Sequence, residues 1–238
     1  MIPKVIYQTW KTQNLPIKVQ KLRKKMYKLN SEYEYIIYTD EQMNDFISSN
    51  APKEIKDAFF RINNIVAKAD IWRYFILYTN GGLYLDIDSE ITGRLDDLLT
   101  DDDTAIITAE KNKDMFVQWA LIFDKGHRVL EKTIENILIC IDQDMFKNDH
   151  HSLTVKTYAK AIFKISEEEG FKLKWDEINE NTDKSYLSEN VQYRIFGIDY
   201  NNYFRFKHKY NHLLRGTSRG EKDSDHWSSS DIKNNVYD

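Results

Sequence analysis

Two aspartates, Asp86 and Asp88, stand two residues apart directly after the apolar segment Leu83 to Leu85. Alternate residues of a strand point to the same side, so this spacing predicts that both carboxylates project together where a strand ends. Divalent cations such as Mn²⁺ and Mg²⁺ bind one or two such carboxylates and complete their shell with water and phosphate oxygens. The pair therefore predicts a Mn²⁺ or Mg²⁺ site for a phosphate-bearing substrate.

The surroundings of this pair distinguish it from three other Asp-x-Asp pairs in the chain. An apolar helical segment, a Gly81-Gly82 turn and an apolar strand lead into Asp86. Carboxylates beside such a strand are costly to bury unless a cation or hydrogen bonds compensate them. We therefore expect a functional site at the end of this strand. The alternative is a structural acidic turn. The remaining pairs lie in charged or loop-like sequence and are interpreted as solvated surface: Asp101/Asp103, Asp142/Asp144 and Asp223/Asp225.

A second pair of charged residues, Asp70 and Arg73, lies in an otherwise apolar helical segment. Their spacing of three residues places both on one face of a helix, so they can meet. One interpretation is an intrahelical ion pair without further function. In the other, Asp70 accepts hydrogen bonds from sugar hydroxyls and Arg73 donates to sugar or phosphate oxygens.

Strand-like and helix-like patterns alternate along the chain, which predicts an α/β domain with a largely parallel sheet. The predicted strands are Lys4 to Thr9, Tyr35 to Tyr38, Leu83 to Leu85, Ala105 to Thr108 and Val117 to Phe123. The predicted helices are Pro16 to Asn30, Glu41 to Ser48 after an Asp40 N-cap, about Asn63 to Thr79, Val129 to Ile141, and Thr154 to Glu169. Gly81-Gly82 is expected to end the helix that carries Asp70 and Arg73.

Composition predicts one packed domain over residues 1–238, since 41% of the residues are apolar and 13% are aromatic. A net charge of -4 gives no field for holding nucleic acid. The single cysteine, Cys140, lies in an apolar run and is expected to be a core residue. No signal peptide or membrane-spanning segment is visible, so we expect a soluble cytoplasmic protein with at most peripheral membrane contact.

A stripe of lysines follows Pro16 on the first predicted helix, at Lys18, Lys21, Lys25 and Lys28. Such a stripe is typical of a solvated helix face. It is also the pattern that draws a helix to an anionic membrane surface.

Three segments together resemble glycosyltransferase family 32, the DXD-containing sugar transferases: residues 2–10, 67–74 and 81–88. That family includes yeast-type initiating mannosyltransferases and bacterial or viral polysaccharide enzymes, and the clostridial glucosylating toxins have a similar core. The resemblance covers residues 2–90 and implies a GT-A fold, which is a Rossmann-like nucleotide-sugar-binding fold with a mostly parallel central sheet flanked by helices. It implies a nucleotide-sugar-binding half, 1–110, and an acceptor-side half, 111–238.

The resemblance also implies an activity and its partners. The expected reaction is metal-dependent transfer of a sugar, with retention at the anomeric carbon, from a UDP-sugar or GDP-mannose to a glycan, a lipid-linked sugar or a protein. The metal is Mn²⁺ in many relatives. Retention arises by same-face attack or through a covalent carboxylate intermediate; no convincing nucleophile is visible in the sequence, which favours same-face attack.

The matched motifs assign roles to individual residues. Trp10, with Thr9 beside it, matches the aromatic residue that stacks on the donor base. Asp70 and Arg73 match the helix pair that grips the donor sugar. Tyr84 and Asp86 match residues that contact the donor, and Asp88 matches the direct metal ligand.

A late His-Trp pair, His226-Trp227, matches relatives that contact the metal or pyrophosphate from a flexible tail. Relatives continue with Ser-Trp, whereas this chain continues with Ser228, Ser229 and Ser230. The polar segment from about 216 to 230 is expected to be a flexible loop. His226 is thus a candidate metal ligand or a surface histidine.

Two other functions remain as alternatives. A phosphatase of the haloacid dehalogenase type also places Asp-x-Asp after an apolar strand and uses the first Asp as nucleophile. A catalytically inactive sugar-binding domain on the same scaffold is the second, because a fold does not guarantee activity.

Overall fold

The computed structural model describes residues 1–110, 112–170, 173, 184–187, 192–196, 203–205 and 235–237, with residues 184–187 and 192–196 described by their backbone alone. The strands are β1 (Val5–Thr9), β2 (Glu34–Tyr38), β3 (Gly82–Leu85), β4 (Glu90–Ile91), β5 (Ala105–Thr108), β6 (Ala120–Phe123), β7 (Lys184–Leu187), β8 (Gln192–Phe196) and β9 (Phe204–Arg205). The helices are α1 (Ile17–Leu29), α2 (Asp40–Asn50), α3 (Lys53–Arg61), α4 (Ile65–Asn80), α5 (Leu95–Leu98), α6 (Arg128–Asp142), α7 (His150–Leu153) and α8 (Val155–Glu168).

Seven strands form one sheet in the order β2-β1-β3-β6-β5-β8-β7, and β4 pairs with β9 beside it. The parallel pairs are β2 with β1, β1 with β3, and β5 with β8. Successive residues of β1 enter different apolar cores, Ile6 on one side and Tyr7 on the other. The sheet is therefore covered on both faces, and the predicted α/β class is confirmed.

The central helix, α4, is buried along most of its length, as its continuous apolar sequence predicts. The Asn64 side chain begins it by accepting hydrogen bonds from the Val66 and Ala67 amides at 2.9 and 3.0 Å. Gly81 ends it with a φ of 70°, and the Gly81 amide donates to the Leu77 carbonyl. Because these are local signals, the helix and its glycine stop were predictable and are confirmed.

The N-cap of α2 is Thr39, and the predicted Asp40 cap is wrong. The Thr39 hydroxyl accepts from the Gln42 amide at 3.2 Å, and the Gln42 side chain accepts from the Thr39 amide at 3.0 Å. This reciprocal pair of hydrogen bonds satisfies two backbone amides at once. Asp40 becomes the first helical residue, where its negative charge stabilises the positive end of the helix. The prediction also missed α3 and began strand β6 at Val117, three residues early.

Residues 235–237 return to the beginning of α4. The Val236 carbonyl accepts from the Asn63 amide at 2.7 Å, and the buried Tyr237 hydroxyl donates to the Cys140 carbonyl at 3.2 Å. Cys140 is buried, as predicted for a core residue. The predicted loop from 216 to 230 lies outside the described residues. Within the described part, every helix is too short or too polar to cross a membrane.

Candidate active site

Two glycines set the position of strand β3. A Cβ atom on Gly81 would lie 2.8 Å from Pro3 Cδ, and one on Gly82 would lie 2.8 Å from the Val5 carbonyl oxygen. Both have positive φ, 70° and 106°, which side chains rarely adopt. The absence of side chains here lets β3 pack against β1, with Tyr84 paired to Tyr7.

The chain turns immediately after β3. The Asp86 amide donates to the Trp119 carbonyl at 2.8 Å, and the Ser89 amide donates back to the Asp86 carbonyl at 2.9 Å. Asp86 and Asp88 therefore lie in a hydrogen-bonded turn at the predicted end of the strand, and the alternation of side chains within a strand does not extend to them. The strand ends at Leu85 because the Asp86 carbonyl bonds within the turn. The metal-binding role of the two carboxylates remains a prediction.

Arg73 joins the helix pair to this turn. Its Nη2 lies 3.1 Å from Asp70 Oδ1 and 3.3 Å from Asp86 Oδ1, and its Nη1 donates to the Gln118 carbonyl at 2.8 Å. The side chains of Arg73 and Asp70 are 8% and 6% exposed, so this is a buried network and not a surface ion pair. The ion pair expected from the i, i+3 spacing is confirmed, and it extends to Asp86.

Tyr84 connects the same network to the end of β1. Its hydroxyl donates to Asp86 Oδ1 at 2.9 Å and lies 3.4 Å from Thr9 Oγ1, and its ring centroid lies 4.3 Å from the Arg73 guanidinium carbon. Burial raises the pKa of Tyr84, and the Asp86 carboxylate adds to this while Arg73 opposes it. Burial alone lowers the pKa of Arg73, but Tyr84, Asp70 and Asp86 outweigh it and raise that pKa. Both groups are therefore proton-bearing donors at neutral pH.

Asp70 is held on its other oxygen by Thr154. The Thr154 hydroxyl lies 2.6 Å from Asp70 Oδ2, and Thr154 is fully buried at the junction of α7 and α8. Sequence reasoning missed Thr154 and the Gln118 carbonyl. Neither carries a local signal, because each meets its partner across 84 or 45 residues of chain.

The structure brings together most of the residues predicted for the site: Thr9, Asp70, Arg73, Tyr84 and Asp86, with Asp88 in the adjoining turn. Trp10 follows β1, and its amide donates to the Tyr38 carbonyl at 3.0 Å. The Lys11 ammonium lies 6.0 Å from the Trp10 ring centroid. His226 and Trp227 lie outside the described residues.

The other Asp-x-Asp pairs are not uniformly solvated. Asp142 and Asp144 are exposed, as expected. Asp103 is fully buried, and its carboxylate accepts from the Thr100 amide at 2.7 Å. The surface interpretation of Asp103 is therefore wrong, because a local backbone amide compensates its buried carboxylate. The Asp223/Asp225 pair lies outside the described residues.

The carboxylate oxygens at the turn fit a labile metal ion that binds together with a substrate. Asp86 and Asp88 supply two carboxylates, and Asp88 is only 7% exposed. Within the described residues, no group of three or more His, Cys, Asp or Glu side chains gathers to hold a metal. Mn²⁺ and Mg²⁺ suit such a site, since substrate phosphates and water complete their shell.

Comparison with known proteins now assigns this region. Residues 16–105 match the family model described as "Glycosyltransferase sugar-binding region containing DXD motif". They therefore resemble the sugar-binding region of DXD-containing glycosyltransferases. The matched region contains Asp70, Arg73, Tyr84 and the turn at Asp86, which are the residues that the structure draws into one network.

Curated relatives match part of the chain. Inositol phosphoceramide mannosyltransferase 3 of Schizosaccharomyces pombe (strain 972 / ATCC 24843) is 44% identical over 98 residues, which are 41% of this chain and 27% of the relative. The initiation-specific alpha-1,6-mannosyltransferase of Candida albicans (strain SC5314 / ATCC MYA-2876) is 26% identical and covers 57% of this chain and 42% of that protein. The matched part of the chain thus spans less than half the length of either relative.

A solved structure shares the fold over more of the chain. "PaToxG Glycosyltransferase" superposes with a TM-score of 0.59 and 18% identity, covering 71% of this chain and 72% of that one. This likeness shows the GT-A fold, in which the matched residues 16–105 run from α1 to the first residue of β5 and include α4 and β3.

Proposed function

We propose that the chain transfers a sugar, with retention, from a nucleotide-sugar donor to an acceptor hydroxyl, with the help of Mn²⁺ or Mg²⁺. The observation that carries this proposal is the position of Arg73, which binds Asp70 and Asp86 at 3.1 and 3.3 Å and so joins a candidate sugar-binding carboxylate to the DXD turn. A donor that bridges these groups would place its sugar at Asp70 and its diphosphate at Asp86 and Asp88.

The protein's own groups would bind and orient the donor. Tyr84 and Arg73 both bind Oδ1 of Asp86, which fixes the orientation of that carboxylate. Each carboxylate oxygen of Asp70 accepts one described hydrogen bond or ion pair and has lone-pair capacity for a sugar hydroxyl. Trp10, at the end of β1, would stack on the base. A Mn²⁺ or Mg²⁺ ion held by Asp86 and Asp88 would supply Lewis-acid stabilisation of the leaving diphosphate.

The contacts of Asp70 support same-face attack over a covalent intermediate. Arg73 engages one oxygen and Thr154 the other, at 3.1 and 2.6 Å. A carboxylate bound in this way is a weak nucleophile, because attack on the anomeric carbon would require it to give up one of these partners. We therefore propose that Asp70 orients the sugar and that the acceptor hydroxyl attacks on the face that the diphosphate leaves.

The donor sugar and acceptor are proposed from the relatives. The resemblance of the motifs favours a UDP-sugar, whereas relatives named mannosyltransferases favour a mannosyl donor such as GDP-mannose. One of them is named for inositol phosphoceramide, a lipid-linked acceptor. We propose a glycan or lipid-linked hydroxyl as the acceptor class.

A donor panel tests this function. The purified protein is incubated with UDP-glucose, UDP-galactose or GDP-mannose, with Mn²⁺ or a chelator, and release of the nucleoside diphosphate is measured. We expect release from one donor, loss on chelation and loss in Asp88→Asn. Asp142→Asn, an exposed aspartate of another Asp-x-Asp pair, serves as the matched control.

Two outcomes would contradict the proposal. Phosphate release from simple phosphomonoesters that disappears in Asp86→Asn would indicate a phosphatase of the haloacid dehalogenase type. Metal-dependent binding of a donor without turnover, even in the presence of sugar acceptors, would indicate an inactive sugar-binding domain.

A further inference from the structure

Helix α1 carries an unusual concentration of positive charge. Its 13 residues include five lysines and one arginine, and no acidic residue, in a chain whose net charge is -4. Its first turn has no acidic side chain and its N-cap, Pro16, makes no side-chain hydrogen bond. The helix therefore lacks the groups that normally stabilise a positive helix end.

The charges lie on the side of α1 that faces away from the protein. Val19, Leu22 and Met26 are buried, and the last two lie in the same apolar core as Ile6 of β1. On the opposite side, the spacing i, i+4, i+7, i+11 aligns four exposed residues in one straight row, here called the crest: Ile17, Lys21, Lys24 and Lys28. The crest is about 17 Å long, at a rise of about 1.5 Å per residue.

Several lysines on the other helices of this protein are compensated within their own helix. Three of them form ion pairs with acidic residues three or four positions along the same helix: Lys53–Asp57, Lys132–Glu135 and Lys164–Glu168. The crest lysines have no such partner within the described residues. Instead, lysines stand four apart at Lys21 and Lys25 and again at Lys24 and Lys28, and of these four Lys25 pairs with the buried Glu90 of β4. Like charges at this spacing destabilise a helix, so the crest does not resemble the protein's ordinary solvated faces.

Two apolar side chains, one in the crest and one beside it, are exposed. Ile17 is 62% exposed at its beginning, and Tyr27 is 53% exposed on its flank. Apolar and aromatic side chains beside a row of cations fit a surface with an anionic outer layer and an apolar interior. Nucleic acid has an anionic exterior, but it offers no apolar interior to a helix that lies along it.

We propose that α1 docks the protein on an anionic lipid bilayer. Lys21, Lys24 and Lys28 contact the anionic headgroups, while Ile17 and Tyr27 enter the boundary between headgroups and acyl chains. The helix lies flat, because its cations form a row along the axis. Since α1 follows the carboxyl end of β1, its Ile17 end lies at the same edge of the sheet as the Asp86 turn. This docking does not depend on the proposed sugar transfer.

Vesicle sedimentation tests the docking surface. The full chain is mixed with vesicles of phosphatidylcholine alone or of phosphatidylcholine and phosphatidylserine in equal parts. We expect binding to the anionic vesicles only, weakened by added salt. A lysine near such a surface contributes about fivefold in partitioning, so Lys21→Gln/Lys24→Gln/Lys28→Gln should lower the partition coefficient about 100-fold.

A matched triple variant removes the same charge elsewhere. Lys113→Gln/Lys125→Gln/Lys164→Gln neutralises three exposed lysines outside α1 and should leave the partition coefficient almost unchanged. Ile17→Ser/Tyr27→Ser should lower it with all cations present, and circular dichroism verifies that each variant is folded. The proposal is overturned if the wild type does not bind anionic vesicles or if the two triple lysine variants lose binding equally. It is also overturned if short duplex DNA binds the crest as tightly as the vesicles do.

Discussion

The hydroxyl of Thr154 lies 2.6 Å from Oδ2 of Asp70, a residue 84 positions earlier in the chain. Arg73 holds the other oxygen of the same carboxylate at 3.1 Å. Together they fix the Asp70 side chain between α8 and the turn at Asp86. The weakly matched second half of the chain thereby helps to shape the DXD region.

Replacing Thr154 by valine should destabilise the protein and impair the donor site. The variant keeps the shape of the side chain but leaves a buried carboxylate oxygen without its donor, which costs about 1–3 kcal/mol of unfolding free energy. Donor turnover should fall about tenfold with a smaller change in KM, because Asp70 is misplaced rather than lost. Thr154→Ser retains the hydroxyl and should recover most of both quantities. Urea unfolding and donor hydrolysis measure them, and equal behaviour of the two variants would contradict the role of the hydroxyl.

Removing the Arg73 charge should cost more than removing a surface arginine. Arg73→Met leaves the buried Asp70 carboxylate and the partly buried Asp86 carboxylate without their shared cation, so the unfolding free energy should fall by about 3–5 kcal/mol. Arg94 binds Glu32, and their side chains are 51% and 28% exposed, so Arg94→Met should cost at most about 1 kcal/mol. Urea denaturation of both variants gives the comparison, and similar losses would mean that solvent already screens the Arg73 network.

Metal and nucleotide should bind cooperatively through the DXD turn. In calorimetric titrations, Mn²⁺ should tighten binding of UDP or GDP by at least about tenfold, because the ion would contact both carboxylate and phosphate oxygens. Asp88→Asn should abolish this gain, whereas Asp101→Asn, at an exposed aspartate, should preserve it. An undiminished gain in Asp88→Asn would exclude Asp88 as a metal ligand.

A side chain on Gly82 should push β1 and β3 apart. Its φ of 106° and the 2.8 Å approach of a Cβ to the Val5 carbonyl oxygen add a steric clash to the backbone strain. Gly170 also has a positive φ, 82°, but a Cβ there meets nothing within 4 Å. Gly170→Ala should cost about 1–2 kcal/mol and Gly82→Ala about 1–3 kcal/mol more. Thermal and urea unfolding measure the difference; equal costs would show that the strands adjust freely.

Local signals explain which parts of this arrangement were predictable from sequence. The glycines at 81 and 82, the apolar run of α4 and the spacing of Asp70 and Arg73 act over a few residues. The helix, its end at Gly81 and the Asp70–Arg73 ion pair that they predict are confirmed. The turn at Asp86 was only the less favoured alternative, because strand alternation says nothing about where pairing stops. It stops where the Asp86 carbonyl accepts from Ser89.

Contacts between distant segments lay beyond the sequence patterns. Thr154 is one polar residue among many at helix boundaries, and only the packing of α7 against α4 places it on Asp70. The Gln118 carbonyl binds Arg73 through the backbone, so no side-chain type could have marked it. Asp103 was misjudged for a different reason: its charged neighbours in the sequence suggest exposure to solvent, but the amide of Thr100, three residues earlier, allows its burial.

Acid should weaken the fold through His127, at the beginning of α6. Its Nδ1 accepts a hydrogen bond from the Val129 amide at 3.2 Å, which requires that nitrogen to carry no proton. Burial lowers the pKa of His127 from 6.5 to about 3, with Arg128 adding to this and Asp124 opposing it. Between these two pKa values the folded state binds fewer protons than the unfolded state. The stabilisation is therefore complete above about pH 6.5 and is lost progressively as the pH falls toward 3.

The variant His127→Asn isolates this effect, because asparagine can still cap α6 but does not titrate. Between about pH 7 and pH 5, the unfolding free energy of the wild type should fall by about 2 kcal/mol more than that of the variant. Urea unfolding curves at several pH values measure both proteins under the same conditions, so the titration of all other groups cancels in the difference. Parallel pH profiles would show that His127 accepts a proton in the folded protein without cost, and hence that its burial does not hold it neutral.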